Sequence, residues 1–494
     1  MFCKGCAVGF WFLLSGSLAV AAPRAQPPVI AAVKEGNLSA IRSLVQQRAD
    51  VNAREIDGTT ALHWAAQSGN VPAVDLLIAA GADVNAVNRY GITALALAAR
   101  QGNAALLGSL LKAGADLRIA DSAESEGQTL LMHASHTGSV EAIRLLVDYG
   151  ADVNARERRT GTTALMWAAI EDQEAAINAL LAAGAEIDAR SALTRYPHTP
   201  PAVVGDPLEE GASYVGQTVL PKGGWTALMY AARQDARGAV RMLAESGSDL
   251  DVTDPDGSSA LMFAIINGHY DVAALLAEKG ADVNLADRTG MTPLYAAVDM
   301  HTLPTTFGRP DLTPPVVAAS IGAIKMLLAY GADPNARLKT KILKRVYNPG
   351  DPRLGEGATP FMRAARGGDV AVMRLLSEAG ADPTLAQQNG NMPIHLAVSA
   401  SRGGNNPDRS TDRAAIEAIT YCLELGADIN ATNSAGDTAL YLSLAAPATV
   451  EFLIAHGASR DVKNRQGQTP LDAALLSREP NEVTIAVLRR AETR

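Results

Sequence analysis

The stretch Asp57–Tyr90, DGTTALHWAAQSGNVPAVDLLIAAGADVNAVNRY, decides how the rest of the chain is read. Thr60 suits a helix N-cap, its hydroxyl accepting a backbone N–H that the first turn leaves unpaired. Leu62, Ala65 and Ala66 then mark a thin helix whose small residues let neighbours approach closely, and Gly69 ends it. "VPAVDLLIAA" carries the apolar stripe of a second helix, with Gly81 placed as its left-handed C′ residue. "ADVNA" turns the chain into a hairpin that leads to the next unit.

The pattern recurs. The glycine ahead of the Thr-x-Leu opening falls at 58, 91, 127, 161, 224, 257, 290, 357, 390, 436 and 467, mostly 31 to 36 residues apart. Several copies place proline after the capping threonine (Pro293, Pro360, Pro470), at the helix position where a missing N–H costs nothing. With "TALHWAA", "TPLYAAV", "TPLDAAL" and the recurrent "GADVNA", the chain resembles the ankyrin-repeat family over residues 28–492. The resemblance implies an all-α solenoid of about twelve helix-turn-helix repeats, each burying its apolar face on its neighbours. An N-terminal unit begins near Val29 with Arg48 in place of the C′ glycine, and the last unit ends in charge, so these two are expected to cap the array.

Composition agrees. Aromatic residues make up only 4% of the chain, as expected for closely stacked thin helices rather than a large enzyme core. A net charge of −9 disfavours nucleic acid, whose binding needs broad phosphate neutralisation. Residues 1–21 read as an export signal: Lys4, a short apolar run, and Ala19-Val20-Ala21 at the cleavage site, followed by a linker at 22–27. Cleavage leaves no stable membrane insertion and one thiol, Cys422, and the expected location is periplasmic or secreted.

No constellation for catalysis, cofactor or metal stands out. His63 and His395 occupy the "TPLH" histidine position, for which the family implies hydrogen bonding within the stack. His133 and His136 share a helical face but lack an obvious third ligand, and the Asp254/Asp256 turn departs from a calcium loop in its glycine offset and downstream Glu.

The family implies binding through the inner helices and hairpin tips. The position after that histidine reads Trp64, Leu97, His133, Trp167, Tyr230, Phe263, Ala296, Arg363 and Leu396, with His136, Glu171, Arg233 and Arg366 among the companions one turn on. Trp225 precedes another inner helix, and Lys341, Lys344 and Arg345 lie in the basic stretch Arg337–Arg353. These residues, with Tyr196 and Tyr214, are the candidate partner contacts. Insertions are expected near 191–222, 300–316, 337–356 and 400–413; long loops in a compact array are usually functional or disordered.

The sequence thus predicts a monomeric, non-enzymatic scaffold, exported, that binds a protein partner and needs no cofactor. One alternative is a small-ligand or glycan binder, with the 191–222 insertion as a lid over an aromatic pocket around Trp167, Trp225 and Tyr230. Another is an effector secreted towards a second cell.

Overall fold

The computed structural model describes residues 26–123, 127–194, 222–302, 314–340, 351, 353–398, 412–478 and 480–490. The predicted signal, 1–21, lies outside them, as do 195–221, 303–313, 341–350 and 399–411 within the four predicted insertions. The described chain is a succession of short helix pairs. In the clearest, an inner helix Ala61–Gln67 precedes an outer helix Val71–Ala79, and the same pair recurs as Ala164–Ile170 with Glu174–Ala182 and Ala227–Arg233 with Arg237–Glu245.

Contacts divide the chain into two units: Met1–Ala98 with Ala105–Ala123, and Ala99–Ala104 with Glu124–Arg494. In the first unit, helix Pro28–Lys34 packs on Ala61–Gln67, and Leu38–Gln46 packs on Val71–Ala79. In the second, Ala164–Ile170 lies between the inner helices Leu130–Thr137 and Ala227–Arg233, while Glu174–Ala182 lies between their outer partners. Leu165, Ala168, Ala169, Ile177 and Leu180 are buried in that sandwich. No single hairpin can bury such a face alone, so each repeat is stable through its neighbours.

Capping follows the reading of the sequence. Thr60, Thr163, Thr226 and Thr359 each accept the N–H of the third helical residue, and helices start at Pro293, Pro360 and Pro470. His63 uses both ring nitrogens: Nδ1 accepts the Thr60 N–H at 3.2 Å, and Nε2 donates to the Ile92 carbonyl of the next repeat at 2.9 Å. His395 repeats this with Met392 and Ala431, as the resemblance implied.

Two glycine positions serve different needs. Gly184 ends an outer helix at φ 89° with open space where a Cβ would sit, so backbone conformation alone selects it. Gly257, at a hairpin tip with φ 84°, would place a Cβ 3.0 Å from the Arg288 amide nitrogen and the Asp287 Cα. There the next tip docks, with Arg288 N–H donating to the Asp256 carbonyl at 2.9 Å. Further along each hairpin, an asparagine clips two repeats together. Asn154 Nδ2 donates to the Gly184 carbonyl at 3.1 Å, and its Oδ1 accepts the Glu186 N–H at 2.9 Å. Asp188 takes the asparagine's place in the following repeat and has no N–H to give; Ser248, standing where other repeats have alanine, donates to its carboxylate at 2.7 Å.

The insertion expected at 191–222 leaves and re-enters the array at one point. Leu193–Thr194 pairs antiparallel with Lys222–Gly223, Ser191 N–H donates to the Trp225 carbonyl at 2.9 Å, and Ala192 N–H donates to the Thr160 carbonyl at 2.7 Å. This two-residue ladder is the one departure from helix and hairpin among the named elements of the described chain. From either side, helices Pro293–Thr302 and Pro314–Ala329 extend into the span expected as the 300–316 insertion. In the first, His301 is still helical at the position where Gly69 follows the corresponding helix.

Candidate interaction face of the inner helices

Each capped inner helix ends one turn after its "TPLH" histidine position, so the residue following that position and those three and four further on share a face. In the second unit this brings His136, Trp167 and Glu171 together. The rings of His136 and Trp167 are perpendicular with centroids 5.6 Å apart, and His136 Nδ1 lies 3.3 Å from Glu171 Oε1. His136 and Glu171 are exposed and Trp167 is half-buried. The Trp167 indole N–H is buried and has no acceptor among the described residues. His133, a turn earlier, is largely enclosed. Burial, then the charges of Arg100 and His136, hold its pKa down to about 4.

A second aromatic group follows. Trp225 stands edge-on to Tyr230 at 5.2 Å and to Phe263 at 5.0 Å, with the Arg233 guanidinium 5.1 Å from its ring centre. Its indole N–H donates to Asp254 Oδ2 at 3.4 Å. Asp254 also accepts the N–H groups of Asp256 and Ser258, so the calcium-loop resemblance is the hairpin turn itself. Tyr230 is half-buried and Arg233 exposed, whereas Phe263 is buried under Trp225. The expectation that Phe263 faces a partner is corrected: it is a packing residue.

In the first unit Trp64 is already occupied by the chain's own groups. Lys34 Nζ sits 4.0 Å from its ring centre and 2.7 Å from Glu55 Oε1, and Trp64 Nε1–H donates to Glu55 Oε2 at 2.8 Å.

The expectation of Arg363 and Arg366 as partner contacts is also corrected. Arg363 is buried, with Nε 2.5 Å from Asp299 Oδ1. Burial opposes its charge, yet Asp299 holds its pKa above the ordinary arginine value. Arg366 is almost enclosed and pairs with Asp351 at 2.9 Å; burial lowers its pKa. Tyr196, Tyr214, Lys341, Lys344 and Arg345 lie outside the described residues.

Around Arg363 lies a buried polar network that the sequence reading missed. His301 Nδ1 meets Ser320 Oγ at 2.7 Å, its Nε2 lies 3.0 Å from Asp369 Oδ2, and Asp369 caps helix Val370–Glu378 through the Val372 N–H at 3.1 Å. The order Ser–His–Asp has the makings of nucleophilic chemistry, but all three are buried and the aspartate is committed to a cap. The network ties an inner helix to two outer helices. Its sequence signal was the unusual "VDMHT" at the end of an inner helix, with His301 at the position of Gly69, Gly102, Gly138, Gly268 and Gly368.

Exposed residues of this face in the second unit include the carboxylates Glu171, Asp172 and Asp235, with Arg233 among them. Among the described residues no group of three His, Cys, Asp or Glu could hold a metal, and no helix is long and apolar enough to cross a membrane.

Capped helix pairs joined by glycine-tipped hairpins recur along the described chain. The model of the family described as ankyrin repeats, three copies, matches residues 29–121, 106–191 and 228–306, and the single ankyrin repeat matches 356–387. The chain belongs to the ankyrin-repeat family. It is 26% identical over 157 residues to the E3 ubiquitin-protein ligase KEG of Arabidopsis thaliana, a match covering 30% of this chain and 8% of that protein. It is 27% identical to human SH3 and multiple ankyrin repeat domains protein 2 (28% of this chain, 9% of that protein). It is 31% identical to ankyrin repeat and KH domain-containing protein mask-1 of Caenorhabditis elegans (31% and 5%). The chain therefore spans less than a tenth of the length of each of these relatives. Among solved structures it is similar to the human ASB11 ankyrin repeat domain, with 24% identity, 51% of this chain, 98% of that one and a TM-score of 0.41. The Bcl-3 ankyrin repeat domain gives 27%, 49%, 94% and 0.38.

Proposed function

We propose that this protein is an exported, non-enzymatic scaffold that binds a protein partner through the inner-helix face of its second unit. Ankyrin repeats are generally protein–protein interaction modules, and the observation that carries the reading here is the row of exposed His136, Glu171 and Arg233 with half-buried Tyr230 around two tryptophans. In a chain so poor in aromatics, two half-buried tryptophans on one face supply the large, rigid contacts that interfaces use as anchors. The N-terminal run with Lys4 and Ala19-Val20-Ala21 supports export.

Affinity capture from a native extract of the source organism tests this, comparing the intact chain with a Tyr230→Ser/Arg233→Glu variant whose fold is confirmed by circular dichroism. A stoichiometric protein retained by the first and lost by the second supports the reading. Equal retention by both, or no protein at all, overturns it. N-terminal sequencing of the protein recovered from outside the cytoplasm tests the export component.

A further inference from the structure

We propose that the corner formed by Trp167 and Glu171 receives a lysine or arginine side chain of the partner polypeptide. This rests on the scaffold reading and specifies the partner's chemistry.

The chain itself displays the interaction elsewhere. In the first unit an ammonium, Lys34, lies over Trp64 and bonds to the Glu55 carboxylate, which also takes the indole N–H. At Trp225 a guanidinium, that of Arg233, lies by the ring and the Asp254 carboxylate takes the indole N–H. A cation by the ring and a carboxylate on the indole N–H thus occur at two of the three described tryptophans, and at Trp64 the same cation meets both the ring and that carboxylate.

At Trp167 the indole N–H has no acceptor among the described residues, and the nearby carboxylate, Glu171, stands one helical turn on beside the perpendicular His136. Among the described residues no lysine or arginine lies over the Trp167 ring, and the basic side chain that meets Glu171 is His136, at 3.3 Å. Glu171 keeps 39% of its side-chain surface and His136 50%, so an incoming cation reaches the carboxylate without rearrangement of the helices. His136 stands perpendicular to the indole, where its ring can stay while the carboxylate accepts a stronger donor. Asp172 follows Glu171 on the exposed surface, Asp235 repeats that position in the next repeat, and the chain is acidic overall, so the surrounding field also favours a basic segment.

The full-length protein labelled with 5-fluorotryptophan provides the readout, with the Trp167 resonance assigned from Trp167→Phe. The probes are a short alternating lysine–glycine peptide and its glutamate–glycine counterpart. The lysine peptide is expected to shift the Trp167 resonance saturably and to leave the other tryptophans in place. Glu171→Gln is expected to weaken binding by about tenfold, as for loss of a charge-assisted contact, with the unmoved resonances reporting an intact fold. A response to the glutamate peptide, uniform movement of all the tryptophans, or undiminished binding by Glu171→Gln overturns the proposal. Should Glu171→Gln still capture the native partner through the inner-helix face, this inference falls and the scaffold reading stands. Should capture fail while the peptide binds as described, the scaffold reading falls instead.

Discussion

The carboxylate of Asp172 accepts the backbone N–H of Ala239 at 2.6 Å, capping helix Arg237–Glu245 from the preceding repeat. That helix has Ala236 at its own N-cap, which has no side chain able to accept; elsewhere Asn70 or Asp369 does this locally. Asp172 reaches its position in a left-handed conformation, φ 56°, where other inner helices end on glycine. Aspartate here forgoes glycine's conformational ease and supplies the cap.

Asp172→Ala is therefore expected to lose the cap while keeping the strained backbone, at a cost of about 2 kcal/mol. Asp172→Gly loses the cap but relieves the strain, and is expected to fall within about 1 kcal/mol of wild type. Denaturant unfolding separates the two, and faster hydrogen exchange at Ala239 in both variants locates the lost bond.

The Arg363–Asp299 pair sits among buried residues, including Tyr295, whose hydroxyl finds no partner among the described residues. Removing one member strips the other of its counter-charge in a dry site. Arg363→Leu is expected to destabilise the second unit by roughly 3–5 kcal/mol, and adding Asp299→Leu to recover part of that loss. Thermal unfolding of the two single variants and the double variant gives the coupling. Additive losses would show that the pair does not act as one.

His133, held down to about pKa 4 mainly by burial, makes stability depend on pH. An unfolded histidine titrates near about 6.5, so above that pH both states are neutral and the contribution is fully present. Between the two values the unfolded chain binds the proton and the folded chain does not, so stability falls as pH falls. Going from about pH 7 to about pH 5, wild type is expected to lose on the order of 1–2 kcal/mol more than His133→Gln, read from unfolding midpoints at the two pH values. His63 and His395, lowered by burial in the same direction, remain in both proteins and cancel in the comparison.

Cys422 is buried in helix Asp412–Glu424, and burial pushes its thiol up to about 12. Since the thiolate is the reactive species, alkylation at Cys422 is expected only when this part of the array opens. Mass spectrometry of Cys422 across a urea series should follow the unfolding curve; rapid labelling in the native protein would contradict the packing.

Much of the architecture was legible in single positions. Threonine caps, proline at N1 and left-handed glycines act within a few residues, so their spacing reports the helix pairs directly. The irregular Arg48, Asp172 and Asp235 were legible too, and they are the three described non-glycine residues with positive φ. The candidate face was harder to read. Arg363 and Phe263 share the register of Trp167 and Tyr230, yet the first two are buried and the second two half-buried. Register determines the direction in which a side chain leaves its helix, whereas its exposure depends on what the adjoining repeats bring against it.

The sequence by itself determined the repeat, its period and the residues that cap and turn it, because those interactions close within one unit. Only the tertiary structure decided which basic side chain meets which carboxylate: Lys34 with Glu55, Arg363 with Asp299, and His136 with Glu171. Arg363 with Asp299, 64 residues apart, and His136 with Glu171 join different repeats, and all three pairings depend on how the helices stack rather than on local propensity.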